Sequence, residues 1–391
     1  MDRAVHARPG VSAEERSIVA NGTAPVDVPG RLDGLQLGRA IAAATVIVGH
    51  SVDHRLGGAT SEAWQLGARY GVTLFFIISG FIMVQTTGTG SFDPRRFLSR
   101  RVRRVAPIYW FVTLLVTALT LLVPQIFHRT LFDLKHLIHS LLFIPMYDPA
   151  GKAGIVPIFR LGWTLNFEMF FYLIFAFTFA LGLMARAVTL TLFFVACILL
   201  GMAVSFEGAV PRFYTQIDTL GFVAGVWLGV LNLRGRLLLG NGAIAALLAL
   251  STAILLYIIG FYHLIRPLVS TQVLLVVACA AHVALLLAIV DQRHRRVSPA
   301  WLHIGDASYS IYLFHMFAIG AVTSIALRLP DALTIPMIGV AMVAGLVAGL
   351  LGYRLVERPL NQLMRRRRPL TADQLGDDAS TAPPAGHGRA S

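Results

Sequence analysis

Ten long apolar runs constrain this chain more than any other feature. They fall at residues 36–53, 70–87, 106–126, 162–183, 187–204, 217–233, 242–261, 268–290, 306–328 and 334–356. A helix of about 20 apolar residues crosses a hydrocarbon layer roughly 30 Å thick. Lipid offers the backbone no hydrogen-bond partner, so runs of this kind fold as helices. Composition agrees: 56% of the 391 residues are hydrophobic and only 14% are charged, against about 25% charged in a soluble domain. An ordinary soluble enzyme, a disulfide scaffold and a disordered chain are thereby excluded. Both cysteines, Cys197 and Cys279, lie inside apolar runs, so neither a disulfide framework nor a cysteine zinc site is indicated. The expected fold is an all-α integral membrane protein with ten transmembrane helices, give or take one.

The net charge of +13 by itself suggests a nucleic acid, but its placement reads differently. Basic residues collect on the cytoplasmic side of membrane proteins. With the N-terminus inside, the inner segments hold 24 Lys and Arg and the outer loops nine. Both termini are therefore expected in the cytoplasm. The surplus is mainly an orientation signal, with anionic lipid or substrate as a secondary partner; nucleic acid is not an expected partner. Residues 1–33 lack the apolar core of a signal peptide and read as a disordered cytoplasmic tail. Residues 363–391 read as a basic and then disordered tail, leaving one membrane domain over 34–362. The long outer connection at 127–160 carries Phe132, Leu134, Leu137, Ile138, Leu141 and Leu142 at helical spacing, which predicts a helix lying on the outer surface. His136 and His139 are expected to be exposed on that helix, and no third metal ligand accompanies them.

Ionisable residues inside a span are costly and tend to mark function. Well inside the runs stand only His50, Glu168, His282 and His315, with Arg39, Asp218, Asp306, Arg354 and Glu357 nearer the ends. Arg39 and His50 are separated by 11 positions, which leaves them about 20° out of phase and about 16 Å apart along one helix face. Asp53 and His54 follow within one turn, so a carboxylate stands ready to orient the His50 ring. The plainer reading makes His50 interfacial and Arg39 a snorkelling anchor. In the fourth run, Trp163, Glu168 and Tyr172 follow one another, with Glu168 and Tyr172 sharing a face at i,i+4. Glu168 is expected about 9 Å below the outer end, near the depth of His50. His282, alone on an apolar helix, reads as a packed residue.

The inner side carries different chemistry. Arg100, Arg101, Arg103 and Arg104 give two overlapping Arg-x-x-Arg spacings before the third run. Arginines three apart on a helix turn can converge on a phosphate with forked hydrogen bonds; simple positive-inside anchoring is the competing explanation. Near the ninth run lies Gly305-Asp-Ala-Ser-Tyr-Ser-Ile-Tyr-Leu-Phe-His315, and Glu357-Arg-Pro359 closes the tenth. Ser308, Tyr309, His315 and Glu357 are candidate supporting residues, together with Trp163 and Tyr172. Neither a Gly-x-Ser-x-Gly elbow nor a His-Glu-x-x-His motif occurs, and no metal site is expected.

These motifs, in this order, resemble the membrane-bound acyltransferase-3 family, and most closely its branch that acetylates bacterial exopolysaccharides. The resemblance runs over about residues 32–362 and includes Leu32-Asp-Gly-Leu35, Gly71-Val-Thr-Leu-Phe-Phe-Ile-Ile-Ser-Gly-Phe81, Leu142-Phe-Ile-Pro145 and Asp306-Ala-Ser-Tyr-Ser-Ile-Tyr312 beside the segments above. It implies a ten-helix core that moves an acyl group, usually acetyl from acetyl-CoA, to a sugar hydroxyl. It also implies functional roles for Arg39 and His50, and for either Arg100/Arg103 or Arg101/Arg104. Thr73 stands where the family usually has an acidic residue, so no role is assigned to it. Some relatives add a soluble hydrolase-like domain; here about 30 residues follow the last run, so acceptor handling is expected within the spans and loops.

The resulting expectation is a bacterial inner-membrane, multi-pass O-acetyltransferase. Acyl-CoA is the donor substrate rather than a bound cofactor, and a polymeric or lipid-linked saccharide is the acceptor. Donor phosphates would meet Arg39, Arg100, Arg101, Arg103 and Arg104. His50, with Glu168 and Asp53, would handle the proton, or His50 would carry the acetyl group briefly. A transporter or flippase for a lipid-linked saccharide, or a non-catalytic export subunit, is the alternative; no internal repeat of the transporter kind is seen. Oligomeric state is not legible in the sequence.

Overall fold

A computed structural model describes residues 32–56, 59–123, 131–151, 154–265 and 269–366, without the side chains of 53–64, 262–265, 269, 365 and 366. The tails at 1–31 and 367–391 and the side chain of Asp53 lie outside the described residues. What is described is all-α. The helices are α1 (Asp33–Leu56), α2 (Ala59–Thr87), α3 (Pro94–Leu122), α4 (Leu134–Leu141), α5 (Trp163–Phe177), α6 (Leu183–Ala203), α7 (Ala209–Tyr214), α8 (Leu220–Leu233), α9 (Asn241–Ile265), α10 (Val269–Leu286), α11 (Pro299–Ala326), α12 (Thr334–Gly352) and α13 (Arg358–Arg366). Each of the ten apolar runs falls on a helix. Among the described residues, eight helices are long and apolar enough to cross a membrane. The fourth and sixth runs give shorter helices, α5 with 15 residues and α8 with 14.

Close backbone approach holds the centre together. In lipid, helices gain little by burying apolar surface, so small residues that let backbones touch drive association. Helix α1 lies between α2 and α11, α2 packs along α8, and α11 along α12. A side chain at Gly80 would strike the carbonyl of Phe222, and one at Gly225 the carbonyl of Ile77. Similarly, Gly305 meets the backbone of Gln36, and Gly349 that of Ile311. Stacked rings fill the adjoining space: Phe222 lies 4.4 Å from Phe76 and 4.5 Å from Phe171. Helix α5, too short to be a self-sufficient span, is fixed by this aromatic core. On the periphery, α6, α9 and α12 expose Leu192, Leu199, Leu256, Ile335 and Val343, as a lipid-facing surface requires.

Helix ends are tied with equal care. The Asp291 carboxylate accepts from the Gly34 amide at 3.1 Å, neutralising the N-terminus of α1. Asp291 itself ends a π-helical turn, Leu287–Asp291. Asp93 caps α3 by accepting from the amides of Arg95 and Arg96 at 2.9 and 3.1 Å, with Pro94 in the first turn. The third helix therefore begins 12 residues before the apolar run, and the arginines at 95–104 are helical. At the end of α2, Gly88 takes φ +67°, a conformation that glycine alone adopts cheaply.

Arg186 locks that turn. It is fully buried, and its guanidinium donates to Thr87 Oγ1 at 3.0 Å and to the carbonyls of Gly88, Gly90 and Leu181 at 3.2, 2.5 and 2.9 Å. The cation also faces the Phe92 ring at 4.8 Å.

The outer-connection helix is found, as α4, but its polarity is turned round. Phe132, Leu134, Ile138 and Leu142 are exposed while His136 and Ser140 are buried. His136 Nε2 donates to the Val156 carbonyl at 2.8 Å, and Tyr109 Oη donates to the Ser140 carbonyl at 3.0 Å. The expectation of an exposed His136 is corrected. Next to a membrane, apolar side chains are cheap on the outside, whereas the polar ones find their partners in the protein. His282 is packed as expected, edge-on to Tyr70 at 5.8 Å and within 3.3 Å of Ser251 Oγ.

Substituting Arg186 by Met keeps its bulk but strips four acceptors of their donor. The expected loss is about 3 kcal/mol, seen as a drop of about 5 °C or more in melting temperature in detergent. An unchanged melting curve would show that the clamp contributes nothing.

Candidate active site

Five helices wall one cavity. Arg39 of α1, Ser79 of α2, Arg101 and Arg104 of α3, Glu168 and Tyr172 of α5, and Ser308 and Tyr309 of α11 line a space of about 100 Å³. Apolar side chains such as Val72, Phe75 and Phe76 complete the wall. Three cations and one carboxylate thus converge inside an otherwise apolar bundle. Charges in such a place are retained at a cost in solvation.

The capped start of α3 decides between the two Arg-x-x-Arg spacings. With 94–104 wound as helix, Arg101 and Arg104 share the face of buried Phe97, Val105 and Ile108. Both line the cavity, and Arg100 and Arg103 do not; the latter two are exposed. Arg101 donates from Nη2 to Thr86 Oγ1 at 2.9 Å, and its guanidinium lies 5.6 Å from the Phe97 ring and 5.9 Å from that of Tyr172. Arg104 lines the cavity and is also exposed, so the cavity reaches the surface beside it.

Arg39 is aimed by Ser308, whose Oγ accepts from Nε at 3.1 Å. Its charged surroundings are Arg104, Glu357, Asp306 and Glu168. Glu357 in turn accepts from Ser310 Oγ at 2.5 Å, an arrangement produced by the π-helical turn Tyr353–Glu357. Tyr309 Oη donates to the Val105 carbonyl at 2.7 Å, pinning α11 to α3 beside Arg104. Glu168 Oε1 accepts from Ser79 Oγ at 3.0 Å and from Tyr172 Oη, and the two hydroxyls are 3.1 Å apart. The carboxylate is held from one side, facing the arginines.

The histidine pair lies apart from this cluster. His50 faces His315 with ring centroids 5.4 Å apart and planes inclined by 30°. His315 is fully buried, and its Nδ1 donates to the Ile311 carbonyl at 2.9 Å. Because a carbonyl only accepts, that bond leaves Nε2 as the proton-accepting nitrogen of a neutral ring. Between the pair and the cavity stands Tyr312. It lines the cavity and meets the His315 ring at 6.2 Å, while its hydroxyl bonds Thr164 Oγ1 at 2.8 Å and donates to the Leu161 carbonyl at 2.9 Å.

Two expectations about geometry change. Glu168 was placed near the depth of His50, yet it lies with Arg39 and Arg101 in a cavity that His50 does not line. Ser79 of α2 and Tyr172 hold Glu168 there. Trp163 lines a neighbouring gap rather than the cavity. Ser79, Thr164, Tyr312 and Arg186 are not singled out by charge or spacing in the sequence. Ser79 and Tyr312 do sit inside the motif segments at 71–81 and 306–312, so a hydroxyl embedded in an apolar motif was the signal to follow.

A family model described as an acyltransferase domain matches residues 32–354. The chain is 35% identical over 321 residues to the exopolysaccharide production protein ExoZ of Rhizobium meliloti (strain 1021), covering 81% of this chain and 96% of that protein. It is 26% identical over 374 residues to the O-acetyltransferase OatA of Staphylococcus aureus (strain NCTC 8325 / PS 47), covering 86% of this chain and 58% of that one. No solved structure matches.

Proposed function

The chain belongs to the membrane-bound acyltransferase-3 family, and from that premise we propose that this multi-pass O-acyltransferase moves acetyl from acetyl-CoA to a sugar hydroxyl. The acceptor is an exopolysaccharide or its lipid-linked precursor, in keeping with the relatives' names. The enzyme works in a bacterial inner membrane with both termini in the cytoplasm. A single acyltransferase unit spans about 34–362, flanked by two tails; the family match supports that extent. The observation that carries this reading is the convergence of Arg39, Arg101, Arg104 and Glu168 on one cavity with its mouth at the arginine-rich end.

The chemistry follows from the lining. Acyl-CoA is strongly anionic at its nucleotide end and neutral at its thioester. Arg104 and Arg101 bind the phosphates at the mouth through charge-assisted hydrogen bonds. The pantetheine arm then lies along apolar Phe75 and Phe76, bringing the thioester towards Arg39 and Tyr312. Arg39, held by Ser308, supplies positive charge where the carbonyl oxygen becomes an oxyanion. His50, oriented by His315, takes the hydroxyl proton as the sugar oxygen adds to the thioester carbon. The C–S bond breaks, and the departing thiolate recovers that proton from the imidazolium. Glu168, fixed by Ser79 and Tyr172, holds an acceptor hydroxyl. Asp53, one turn beyond His50, is the further acidic group proposed to assist it.

The choice of arginine pair is measurable. Arg101→Ala and Arg104→Ala each raise the KM for acetyl-CoA about tenfold, the effect of losing about 1.4 kcal/mol of binding. Arg100→Ala and Arg103→Ala leave it within about twofold. An unchanged KM at all four positions would reduce the run to an orientation signal, and equal rises at all four would remove the preference for Arg101 and Arg104. Separately, His50→Ala loses transfer by a factor of about 10²–10⁴ while remaining folded in membranes. Full transfer by that variant would remove His50 from the reaction.

A further inference from the structure

A second polar space opens at the other end of the bundle, where α6 ends and α10 begins. Here Arg212, Gln216, Asp218 and Gln272 line a cleft of about 570 Å³. A narrow gap of about 20 Å³ continues it inward, walled by Asp218 and Gln272 again and by Arg69, Thr73 and Trp163. Val72 lines both this gap and the active-site cavity, and Trp163 immediately precedes Thr164 in the cavity wall. The three spaces therefore share walls in series, from the cleft through the gap to the cavity. The distribution of basic residues makes the cleft's end the outer one, opposite the donor's entrance.

The lining has a definite chemical preference. Asp218 accepts hydrogen bonds, Arg69 and Arg212 donate them, and Gln272 does both. Arg69 is a charged neighbour of Asp218, so the wall pairs opposite charges instead of presenting one sign. A phosphate would meet the Asp218 carboxylate at close range, and an acyl chain would find too many polar groups. A saccharide offers hydroxyls that both donate and accept, together with apolar C–H faces that lie well against an indole. Asp218 stands at the head of an apolar helix, and with Arg69 it sets a pair of opposite charges into the wall of the gap.

We infer that this cleft is the acceptor subsite: Asp218 and Gln272 hold the saccharide's hydroxyls, and Trp163, at the gap, meets the edge of the sugar that faces the cavity. The inference rests on the acyl-transfer reading above and adds where, and through which groups, the acceptor is recognised.

The test uses the full-length protein in detergent and, as probe, the oligosaccharide repeat of the host's own exopolysaccharide after mild alkaline removal of its O-acetyl groups. Saturation-transfer NMR reads binding, and labelled acetyl-CoA reads transfer. Asp218→Asn and Gln272→Ala are expected to weaken binding and raise the acceptor KM about tenfold, with the KM for acetyl-CoA unchanged. Should either variant fail to fold, Gln216→Trp at the exposed rim fills the cleft by bulk and is expected to give the same loss. Wild-type acceptor affinity in the folded variants, or no binding by the wild-type protein, would overturn the subsite. Oligosaccharide bound by the wild-type protein but never acetylated would instead count against acyl transfer, leaving the subsite supported.

Discussion

Backbone-to-backbone contact at glycine is the constraint on which the rest of this structure depends. Within a membrane the usual reward for burying apolar surface is missing, and helices stay together only where they touch closely. The approach of α2 to α8 at Gly80 and Gly225, and of α1 to α11 at Gly305, supplies that closeness. It also fixes the chemistry. Ser79 is the neighbour of Gly80 and reaches Glu168; Ser308 follows Gly305 by three residues and reaches Arg39. Small residues set the distances, and the hydroxyls beside them aim the charges.

Polar groups in such a bundle fall into two kinds. Arg186 spends both terminal nitrogens on four fixed acceptors and lines no cavity wall with Arg39 or Glu168. Arg39 and Arg101 each make one side-chain hydrogen bond, to Ser308 and Thr86 respectively, and turn the remaining fork into the cavity. Arg186 thus ties backbone to backbone, whereas Arg39 and Arg101 present their charge to the cavity. The same distinction separates His282, packed against Tyr70 and Ser251, from the His50–His315 pair beside the cavity.

Much of this was legible in the sequence because hydrophobic run length has one structural meaning in lipid. Every apolar run became a helix, and Arg39, Glu168 and the Arg-x-x-Arg segment stood out as charges where charge is expensive. The boundary of α3 was less legible, since the apolar run begins only at 106 and the helix, capped by Asp93, starts at Pro94, 12 residues before it. Arg101 and Arg104 share one cavity with Glu168, a meeting between helices that depth counting along single helices could not show. Arg186 was overlooked because one basic residue between two runs looks like a topology signal; only the fold shows the carbonyls it serves. His136 was misread because amphipathicity reverses its sense beside a membrane. Asp218, Gln272 and Trp163 come from three distant segments, and nothing in their spacing announces a shared wall.

Donor and acceptor, on this account, approach one cavity from opposite ends, and the arginine-lined half belongs to the acyl donor. The most direct measurement is photo-crosslinking with an acyl-CoA that bears a diazirine on its acyl chain, followed by peptide mapping of the purified protein. The account predicts adducts within 75–83, 164–172 and 308–312, the segments that line the cavity, suppressed by excess acetyl-CoA. Adducts confined to the lipid-facing helices α6 and α9, or indifferent to acetyl-CoA, would contradict it.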